Sequence, residues 1–514
     1  MKECGRFRLI SPLMLLACAL CALGAAGRST AAAAPEAPPT LSSVSEWTCD
    51  LRPLWRGIDL DLGESATVEL SDGSQATVKL LGLTETRDDV RDAVRRAEVE
   101  VEVNGERATI VSATYHLPTT VGGVQVDCPI TGGHLSNSRE NNWRLGKDAR
   151  LRLWPGGSPW IRRGTFVYPV EQRWFASDTQ IGNEPVFVDG PEPVQKENIY
   201  YHNGLDLGGV EGAVPVLASV DGLVVQAREE KLADAYASLR YDKVSIMDRR
   251  GWLHGYYHLQ SIEPWVKPGV IVKMGQRIGT LGKESHSGGW AHLHFGLWNR
   301  QPSRRNGSDE GYAFIWQAYV DQYSPDVIAV ARPHHLLWAR QTARLDGSRS
   351  WSASGKIAAY DWTFTDGGTA SGPIIERRYD RPGVYSEVLK ITDGAGHVGY
   401  DFAVVQVLDR DNPDRNPPSI NAAYWPTFDL KAGQDITFAV RTFKTTHGEE
   451  AWDFGDGSAG VTTKSDGCVD PLAKDGYAHT THRYERPGDY IVTVRRANEH
   501  SAEAIGHLHV TVGE

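Results

Sequence analysis

Apolar and polar residues alternate in short runs along most of the chain. In the N-terminal part the runs at 66–70, 76–80 and 99–103 have a period of two residues, which is typical of strands that bury one face. The Ser-Asp-Gly sequence at 71–73 separates two of these runs, and such a sequence favours a hairpin turn. The pattern predicts an antiparallel β domain over residues 47–164, to which no chemistry can be assigned.

The middle of the chain continues in the same way. Residues 214–218, 222–225 and 243–247 are short apolar or alternating runs separated by glycine-rich turns. A helical period of 3.6 residues is almost absent, so the pattern indicates strands rather than helices. We therefore expect a β-rich domain at 165–325.

The C-terminal part contains an internal repeat. The sequence Asp-Trp-Thr-Phe-Thr-Asp-Gly at 361–367 returns as Ala-Trp-Asp-Phe-Gly-Asp-Gly at 451–457, and a Tyr-x-x-Pro-Gly-x-Tyr block follows in each copy. Two separated blocks that recur in the same order indicate duplication. The alternating Trp and Phe side chains point to one face, as in the core of a β-sandwich. We place the two copies at residues 326–410 and 411–514.

Composition places the chain among globular proteins and excludes one class of partner. The 514 residues are 40% hydrophobic and 23% charged, ordinary values for several folded domains. The formal net charge of -11 argues against a nucleic-acid-binding protein, which normally has a basic surface. The fold class expected from the whole chain is mainly β.

The N-terminus has the layout of a signal peptide. Three basic residues among the first eight precede an apolar run, and small residues follow it. We predict a signal peptide at 1–26, an Ala/Pro-rich spacer at 27–46, and no membrane span in the mature chain, because no later apolar run is long enough. The protein is then exported to the periplasm, cell surface or exterior. Lipidation at Cys18 is a less favoured alternative, since apolar residues continue after it.

Three cysteines lie beyond the predicted signal peptide. Cys49 and Cys128 fall in the same predicted N-terminal domain, so we expect them to form a disulfide. Cys468 would then be free or bonded to another chain. No Cys-x-x-Cys pair occurs in this part of the chain, which argues against a zinc site built on thiolates.

Candidate chemistry is concentrated in three blocks of the middle domain. His202 and Asp206 form a His-x-x-x-Asp block, His258 follows two tyrosines, and His292 and His294 form a His-x-His block. On a strand, residues two apart face the same side. Two imidazoles and one carboxylate can supply three zinc ligands and leave an open position for water. The remaining imidazoles can transfer a proton and stabilise the developing oxyanion.

The order of these blocks resembles the lysostaphin/LytM-type zinc endopeptidases. The resemblance covers about residues 165–300. Besides the histidines, it includes the Asp-Gly turn within 215–224, the Lys-x-Gly-Gln-x-Ile-Gly type of sequence within 267–279, and the stretch 287–295 around the His-x-His block. The C-terminal copies resemble PKD domains, which are immunoglobulin-like β-sandwiches of exported bacterial proteins.

The resemblance implies a Zn²⁺ cofactor and a role for each residue. His202, Asp206 and His294 match the metal ligands, and His258 and His292 match the catalytic pair. It also implies hydrolysis of peptide bonds by a zinc-activated water. The implied substrate is the stem or cross-bridge peptide of peptidoglycan, and a protein or peptide substrate remains open.

Two other functions remain open. A protein of this fold can be a non-catalytic cell-wall-binding or regulatory protein, and the sandwiches can be the working part of a surface adhesion protein. The charged insertion at 228–241 is expected to form a loop near the cleft, whereas His254 and His286 are expected at the surface. Because every matched residue lies within 165–325, we expect that segment alone to bind one zinc ion and to stay active.

Overall fold

The computed structural model describes residues 38–136, 138–187 and 199–514. The predicted signal peptide, most of the spacer and Cys18 lie outside the described residues. The described chain is mostly β, as predicted. It contains no helix with the length and apolar character needed to cross a membrane.

The N-terminal domain is built from two four-stranded antiparallel sheets. Its strands are β1 (Arg56–Leu60), β2 (Ser65–Glu69), β3 (Gln75–Arg87), β4 (Val94–Val103), β5 (Glu106–Val111), β6 (Thr119–Val121), β7 (Val124–Thr131) and β8 (Ala149–Pro155). The sheet orders are β1-β8-β7-β6 and β2-β3-β4-β5. Inward-facing residues of both sheets, such as Val78, Val99 and Leu151, form one buried cluster.

The segment that precedes β1 belongs elsewhere. We call residues 39–52 the N-terminal strap. The Leu41 N–H donates to the Gly269 carbonyl at 2.8 Å, and the Trp47 indole N–H donates to the Asp248 carbonyl at 2.9 Å. Trp47 is buried in a cluster with Leu223 of the central domain. The strap therefore packs on the central domain. The sequence had assigned its residues to the spacer and to the N-terminal domain.

The central domain contains one large antiparallel sheet, a small three-stranded sheet and a two-stranded sheet. Its elements are β9 (Thr179–Gln180), β10 (Pro185–Phe187), β11 (Ile199–Tyr201), β12 (Leu205–Gly208), β13 (Pro215–Leu217), β14 (Gly222–Ala227), β15 (Glu230–Lys231), β16 (Val244–Asp248), β17 (Leu253–Tyr257), β18 (Ser261–Ile262), β19 (Ile271–Val272), β20 (Arg277–Thr280), β21 (His292–Arg300), β22 (Asn306–Asp309) and α1 (Tyr312–Tyr323). The main path of the large sheet is β15-β14-β16-β17-β21-β12-β9, the small sheet is β13-β20-β18, and β10 and β11 form the two-stranded sheet.

Helix α1 is an element that the sequence pattern did not predict. Eight of its twelve residues are buried, among them Phe314, Trp316 and Tyr319. A helix covered by protein on nearly all sides needs no polar face, so its sequence lacks the 3.6-residue alternation that identifies a surface helix.

Two β-sandwiches follow. The first has β23 (Val327–Ile328), β24 (His335–Trp338), β25 (Gln341–Asp346), β26 (Trp351–Ser352), β27 (Ile357–Thr363), β28 (Thr369–Ser371), β29 (Ile374–Tyr379), β30 (Gly383–Asp393) and β31 (Val398–Leu408); the second has β32 (Ser419–Trp425), β33 (Asp435–Phe443), β34 (Glu450–Asp453), β35 (Val461–Thr463), β36 (Ala478–Arg483), β37 (Gly488–Ala497) and β38 (Glu503–Val512). The repeated Trp362 and Trp452 are both buried in sandwich cores. Parallel pairing of β30 with β38 joins the sandwiches edge to edge.

The predicted disulfide between Cys49 and Cys128 is wrong in this structure, in which both thiols are free. Cys128 lies on β7 with its side chain in the core of the N-terminal domain. Cys49 is exposed on the strap, which packs on the central domain, and its sulfur lies beside Gly251. The two residues are thus held by different domains. Cys468 is also free.

Candidate metal centre and active site

Strand register brings the three predicted blocks together. In the antiparallel pairing of β12 with β21, Asp206 lies directly opposite His294. On the other side of β21, Tyr257 of β17 lies opposite His294, and His258 is the next residue in the chain. Residues opposite each other in a sheet share a face, and His292 shares it because it is two residues before His294.

The side chains of His202, Asp206 and His294 converge on one point. His202 Nε2 lies 2.9 Å from His294 Nδ1 and 3.1 Å from Asp206 Oδ1. Asp206 Oδ1 lies 2.8 Å from His294 Nδ1. Among the residues that the structure describes, these three form the one group of His, Cys, Asp or Glu side chains arranged to hold a metal ion.

Backbone carbonyls fix the orientation of three of the imidazoles. His202 Nδ1 lies 3.2 Å from the Ile181 carbonyl, His292 Nδ1 lies 3.1 Å from the Trp290 carbonyl, and His258 Nδ1 lies 2.7 Å from the Glu284 carbonyl. An N–H at each Nδ1 donates to these oxygens, which leaves each Nε2 with a lone pair. This is the usual way in which a metal-binding or catalytic imidazole is held in one tautomer.

Burial and the central carboxylate set the charge state of the site. Burial lowers the pKa of His292 to about 3 and that of His294 to about 4. Burial opposes ionisation of Asp206, but the facing His202 and His292 outweigh it and hold the Asp206 pKa well below its usual range. The Asp206 carboxylate in turn raises the pKa of His202. At neutral pH the site therefore presents the Asp206 carboxylate beside neutral His292 and His294 rings, and carboxylate and neutral imidazole are the forms that ligate metals.

His258 and His292 form a second pair beside this group. Their ring centroids are 4.7 Å apart, and His292 Nε2 lies 3.5 Å from Asp206 Oδ2. His258 has a φ of 64°, which is uncommon for a residue with a Cβ. Its backbone N–H donates to Asp242 Oδ2 at 3.0 Å, so that buried carboxylate helps to hold the strained backbone in place.

Trp290 and Asp242 are parts of the site that the sequence did not single out. The Trp290 ring stacks on His292 with a centroid distance of 3.9 Å and an interplanar angle of 20°. Asp242 contacts His258 as described above. The position of Trp290 just before the His-x-His block was its one sequence signal, and Asp242 had none.

The donor set fits a zinc ion. Two imidazole nitrogens and one carboxylate oxygen are the ligands of many catalytic zinc sites, and here they converge within hydrogen-bonding distance of one another. Further imidazoles lie next to them without joining the group. The arrangement suits a hydrolytic centre in which proton-transfer groups stand beside a metal.

Sequence comparison assigns these domains to known families. The sequence model of peptidase family M23 matches residues 200–306, and PKD domain models match residues 324–407 and 421–511. The chain carries an M23 peptidase domain followed by two PKD domains. Family M23 consists of metallopeptidases that are typically zinc enzymes, so the central domain is a peptidase domain of the hydrolase class.

Individual relatives match only parts of the chain. Collagenase ColA of Clostridium perfringens is 25% identical over 122 residues, which are 24% of this chain and 11% of the collagenase. The catalytic domain of the prophage-encoded M23 protein EnpA of Enterococcus faecalis is 21% identical, with a TM-score of 0.19, and the match covers 29% of this chain and 92% of that one. A PKD domain of an M14-like peptidase from a Thermoplasmatales archaeon is 22% identical, with a TM-score of 0.15, and the match covers 20% of this chain and 99% of that one.

The second PKD domain contacts the M23 domain immediately before the His-x-His block. The Ala291 N–H donates to the Tyr477 hydroxyl at 2.7 Å, and Arg441 donates to the Gly289 carbonyl at 2.6 Å. Arg441 is completely buried. Tyr477 belongs to the same buried hydrophobic cluster as Leu293 of the M23 domain. These contacts argue against the expectation that residues 165–325 form the active unit by themselves.

The insertion at 228–241, His254 and His286 are the remaining features that the sequence placed near the cleft or at the surface. The Tyr241 hydroxyl accepts from the Ser285 N–H at 3.0 Å, which places the end of the insertion next to the Glu284 carbonyl that holds His258. His254 was expected at the surface, but it is fully buried and lies 2.9 Å from Asp248. His286 is exposed, as expected.

Proposed function

We propose that the protein is an exported zinc metalloendopeptidase that hydrolyses peptide bonds in the stem or cross-bridge peptides of peptidoglycan. The observation that carries the proposal is the convergence of His202, Asp206 and His294, with His258 and His292 beside them. A non-catalytic protein on this fold has no need for a complete ligand set together with two oriented imidazoles.

His202, Asp206 and His294 would hold the zinc ion. When bound, zinc supplies Lewis acidity, which lowers the pKa of water and polarises a carbonyl. The carboxylate of Asp206 offsets part of the metal charge, and the Ile181 carbonyl keeps His202 in the tautomer that can ligate.

His258 and His292 would transfer protons and stabilise the oxyanion. Each has its Nδ1 hydrogen bonded to a backbone carbonyl, so each Nε2 is free to accept or return a proton. Burial keeps His292 neutral near pH 7, so its Nε2 carries a lone pair and no proton before the substrate binds. Once protonated, either ring can donate to the oxyanion that develops on the substrate carbonyl. Trp290 limits rotation of His292 by stacking on it.

The substrate assignment is tested with the full mature chain. Purified protein is analysed for zinc and incubated with peptidoglycan sacculi, with gelatin and with casein, and released amines are quantified. We expect zinc at one ion per chain and release from sacculi that EDTA abolishes and added zinc restores. Cleavage of gelatin or casein without release from sacculi would assign a protein substrate instead. Retention on sacculi with no hydrolysis of any substrate would favour the wall-binding function.

A further inference from the structure

A second feature of the M23 domain lies on the same sheet face as the metal centre. We call it the Lys243 pocket, a cavity of about 420 Å³ whose lining includes Lys243, Ser245, Gly255, Tyr257 and Trp298. Ser245 of β16 lies opposite Gly255 of β17, so these residues point to one side of the sheet.

Tyr257 is the wall shared by the pocket and the metal centre. The Tyr257 ring contacts the His294 ring at a centroid distance of 5.1 Å. It also contacts the Lys243 ammonium, which lies 4.6 Å from the ring centroid. A single aromatic ring therefore separates the ammonium from a metal-ligand candidate. An extended peptide covers this separation in about three residues.

Lys243 is a buried cation whose ammonium forms no ion pair with a carboxylate in the described part of the chain. Only 4% of the residue is exposed, and its ammonium donates to the Ser238 carbonyl at 3.5 Å and to the Ser238 hydroxyl at 3.1 Å. In the described part of the chain, no carboxylate oxygen pairs with its ammonium, and none lines the pocket. Lys231, also at the pocket, adds a second positive charge.

The neighbouring carboxylate is already committed elsewhere. Both oxygens of Asp242 accept from the Arg240 guanidinium, at 3.0 and 2.8 Å, and Oδ2 also accepts from the His258 N–H. Burial, reinforced by the nearby Arg240 and only partly opposed by the charge of Asp242, lowers the pKa of Lys243 to about 8. An unpaired buried charge is costly to keep, and such a residue in a cleft beside a catalytic centre is a candidate for ligand recognition.

Glycine and the insertion shape the pocket for a ligand. A Cβ on Gly255 would lie 2.5 Å from Tyr257 Cε2, so the glycine leaves room for the Tyr257 ring to lie across the sheet. Residues of the insertion form the outer rim. Tyr236, on that rim, is 56% exposed, which offers an aromatic surface to a bound chain.

We propose that the Lys243 pocket is a subsite that binds a carboxylate of the substrate peptide, within about three residues of the bond that is cleaved. The inference rests on the proposed function and adds a substrate class to it: peptides with an acidic side chain or a free C-terminal carboxylate at that distance. A charge-assisted contact of this kind contributes roughly 10- to 100-fold in binding.

The test compares matched peptides on the full chain. The probes are acetyl-Ala-Ala-Glu-Ala-amide, its Glu-to-Gln counterpart, and the Gln peptide with a free C-terminal carboxylate. Binding is measured by titration calorimetry and cleavage by mass spectrometry. We expect at least one carboxylate peptide to bind 10- to 100-fold more tightly than the neutral peptide. The Glu and free-acid arms distinguish a side-chain carboxylate from a terminal one.

Variants identify the residue responsible. Lys243→Met should abolish the preference without weakening binding of the neutral peptide, and Lys243→Arg should retain part of it. Lys273→Met is the matched control, since that lysine is exposed and pairs with Asp221. Zinc content and thermal midpoint should be unchanged in Lys243→Met, because no counter-ion is left behind. If Lys243→Met is unstable, the comparison is made with Lys243→Gln.

The outcomes separate this proposal from the proposed function. Equal binding of charged and neutral peptides by the wild type, or equal weakening of both by Lys243→Met, would overturn the carboxylate subsite. Lys243-dependent binding of a carboxylate peptide without cleavage of any peptide or of peptidoglycan would uphold the subsite and overturn the peptidase function.

Discussion

The hydroxyl of Tyr477 in the second PKD domain accepts a hydrogen bond of 2.7 Å from the backbone N–H of Ala291, the residue before His292. Tyr477 in turn donates to Asn421 Oδ1 at 2.7 Å. Both partners of the Tyr477 hydroxyl, Ala291 and Asn421, are buried. A β-sandwich outside the M23 domain therefore fixes the backbone next to His292, a candidate catalytic residue.

We expect Tyr477→Phe to lower kcat several-fold while zinc content stays at the wild-type value. The substitution leaves the Ala291 N–H without its acceptor, and an unsatisfied buried donor costs about 1–3 kcal/mol. The measurement is kcat and KM on peptidoglycan fragments together with metal analysis. Tyr490→Phe is the control, because that hydroxyl bonds only within its own turn, to the Arg486 carbonyl. Wild-type kcat in Tyr477→Phe would show that the contact does not position His292.

The two histidines of the His-x-His block should behave differently when replaced. His294→Ala should lose zinc and activity, since it removes one of three converging donors. His292→Ala should keep zinc and lose on the order of 10²- to 10⁴-fold in turnover, the usual contribution of a positioned acid–base group. We expect His202→Ala and Asp206→Ala to resemble His294→Ala, and His258→Ala to resemble His292→Ala.

Metal analysis of the purified variants, with circular dichroism as the control for folding, checks these assignments. The roles would be reversed if His292→Ala lost its zinc while His294→Ala retained it.

Asp248 should contribute to stability in a pH-dependent way. Burial raises its pKa, but hydrogen bonds from His254 and Arg250 outweigh this and lower it to about 2. Because the folded pKa lies below the unfolded one, the contribution is complete above about pH 4 and is lost as the pH falls through about 2. At pH 7 it amounts to about 2 kcal/mol.

Calorimetric melting at several pH values tests this. Asp248→Asn should lower the thermal midpoint of the M23 domain at pH 7 and weaken its dependence on pH between 4 and 2. Asp221→Asn, at an exposed carboxylate, should change the midpoint little. Parallel acid-melting curves for Asp248→Asn and the wild type would contradict the assignment.

The cysteines should differ in reactivity rather than form a bond. Cys49 is exposed and should react with a maleimide in the folded protein. Cys128 is fully buried, and burial raises its pKa to about 12, so it should react only after unfolding. Mass spectrometry of labelled peptides, without reduction, gives both results. A peptide pair linked through Cys49 and Cys128 would restore the disulfide that the sequence suggested.

The sequence predicted what local patterns determine. The β class and the repeated sandwiches follow from the alternating pattern and from the duplicated motifs. The sequence motifs also identified Asp206 and His294, and in the structure the register of β12 with β21 places these two residues opposite each other. The stacking of Trp290 and the contact of Tyr477 with Ala291 depend on how loops and domains meet, which no local pattern encodes. The prediction that His254 lies at the surface failed for the same reason. Its partner Asp248 comes next to it only when two neighbouring strands pair.

The N-terminal strap has a consequence for how the protein folds. The Trp47 indole bonds to the Asp248 carbonyl, 201 residues further along the chain, and it is buried by strands that do not exist until those residues have been made. Contacts between such distant segments form late, since the loop between them must close first. During biosynthesis the strap is the first described segment to appear, yet it is among the last to reach its native position. Until then Trp47 and the apolar residues that it covers stay exposed to water, and exposed apolar surface of this kind favours aggregation.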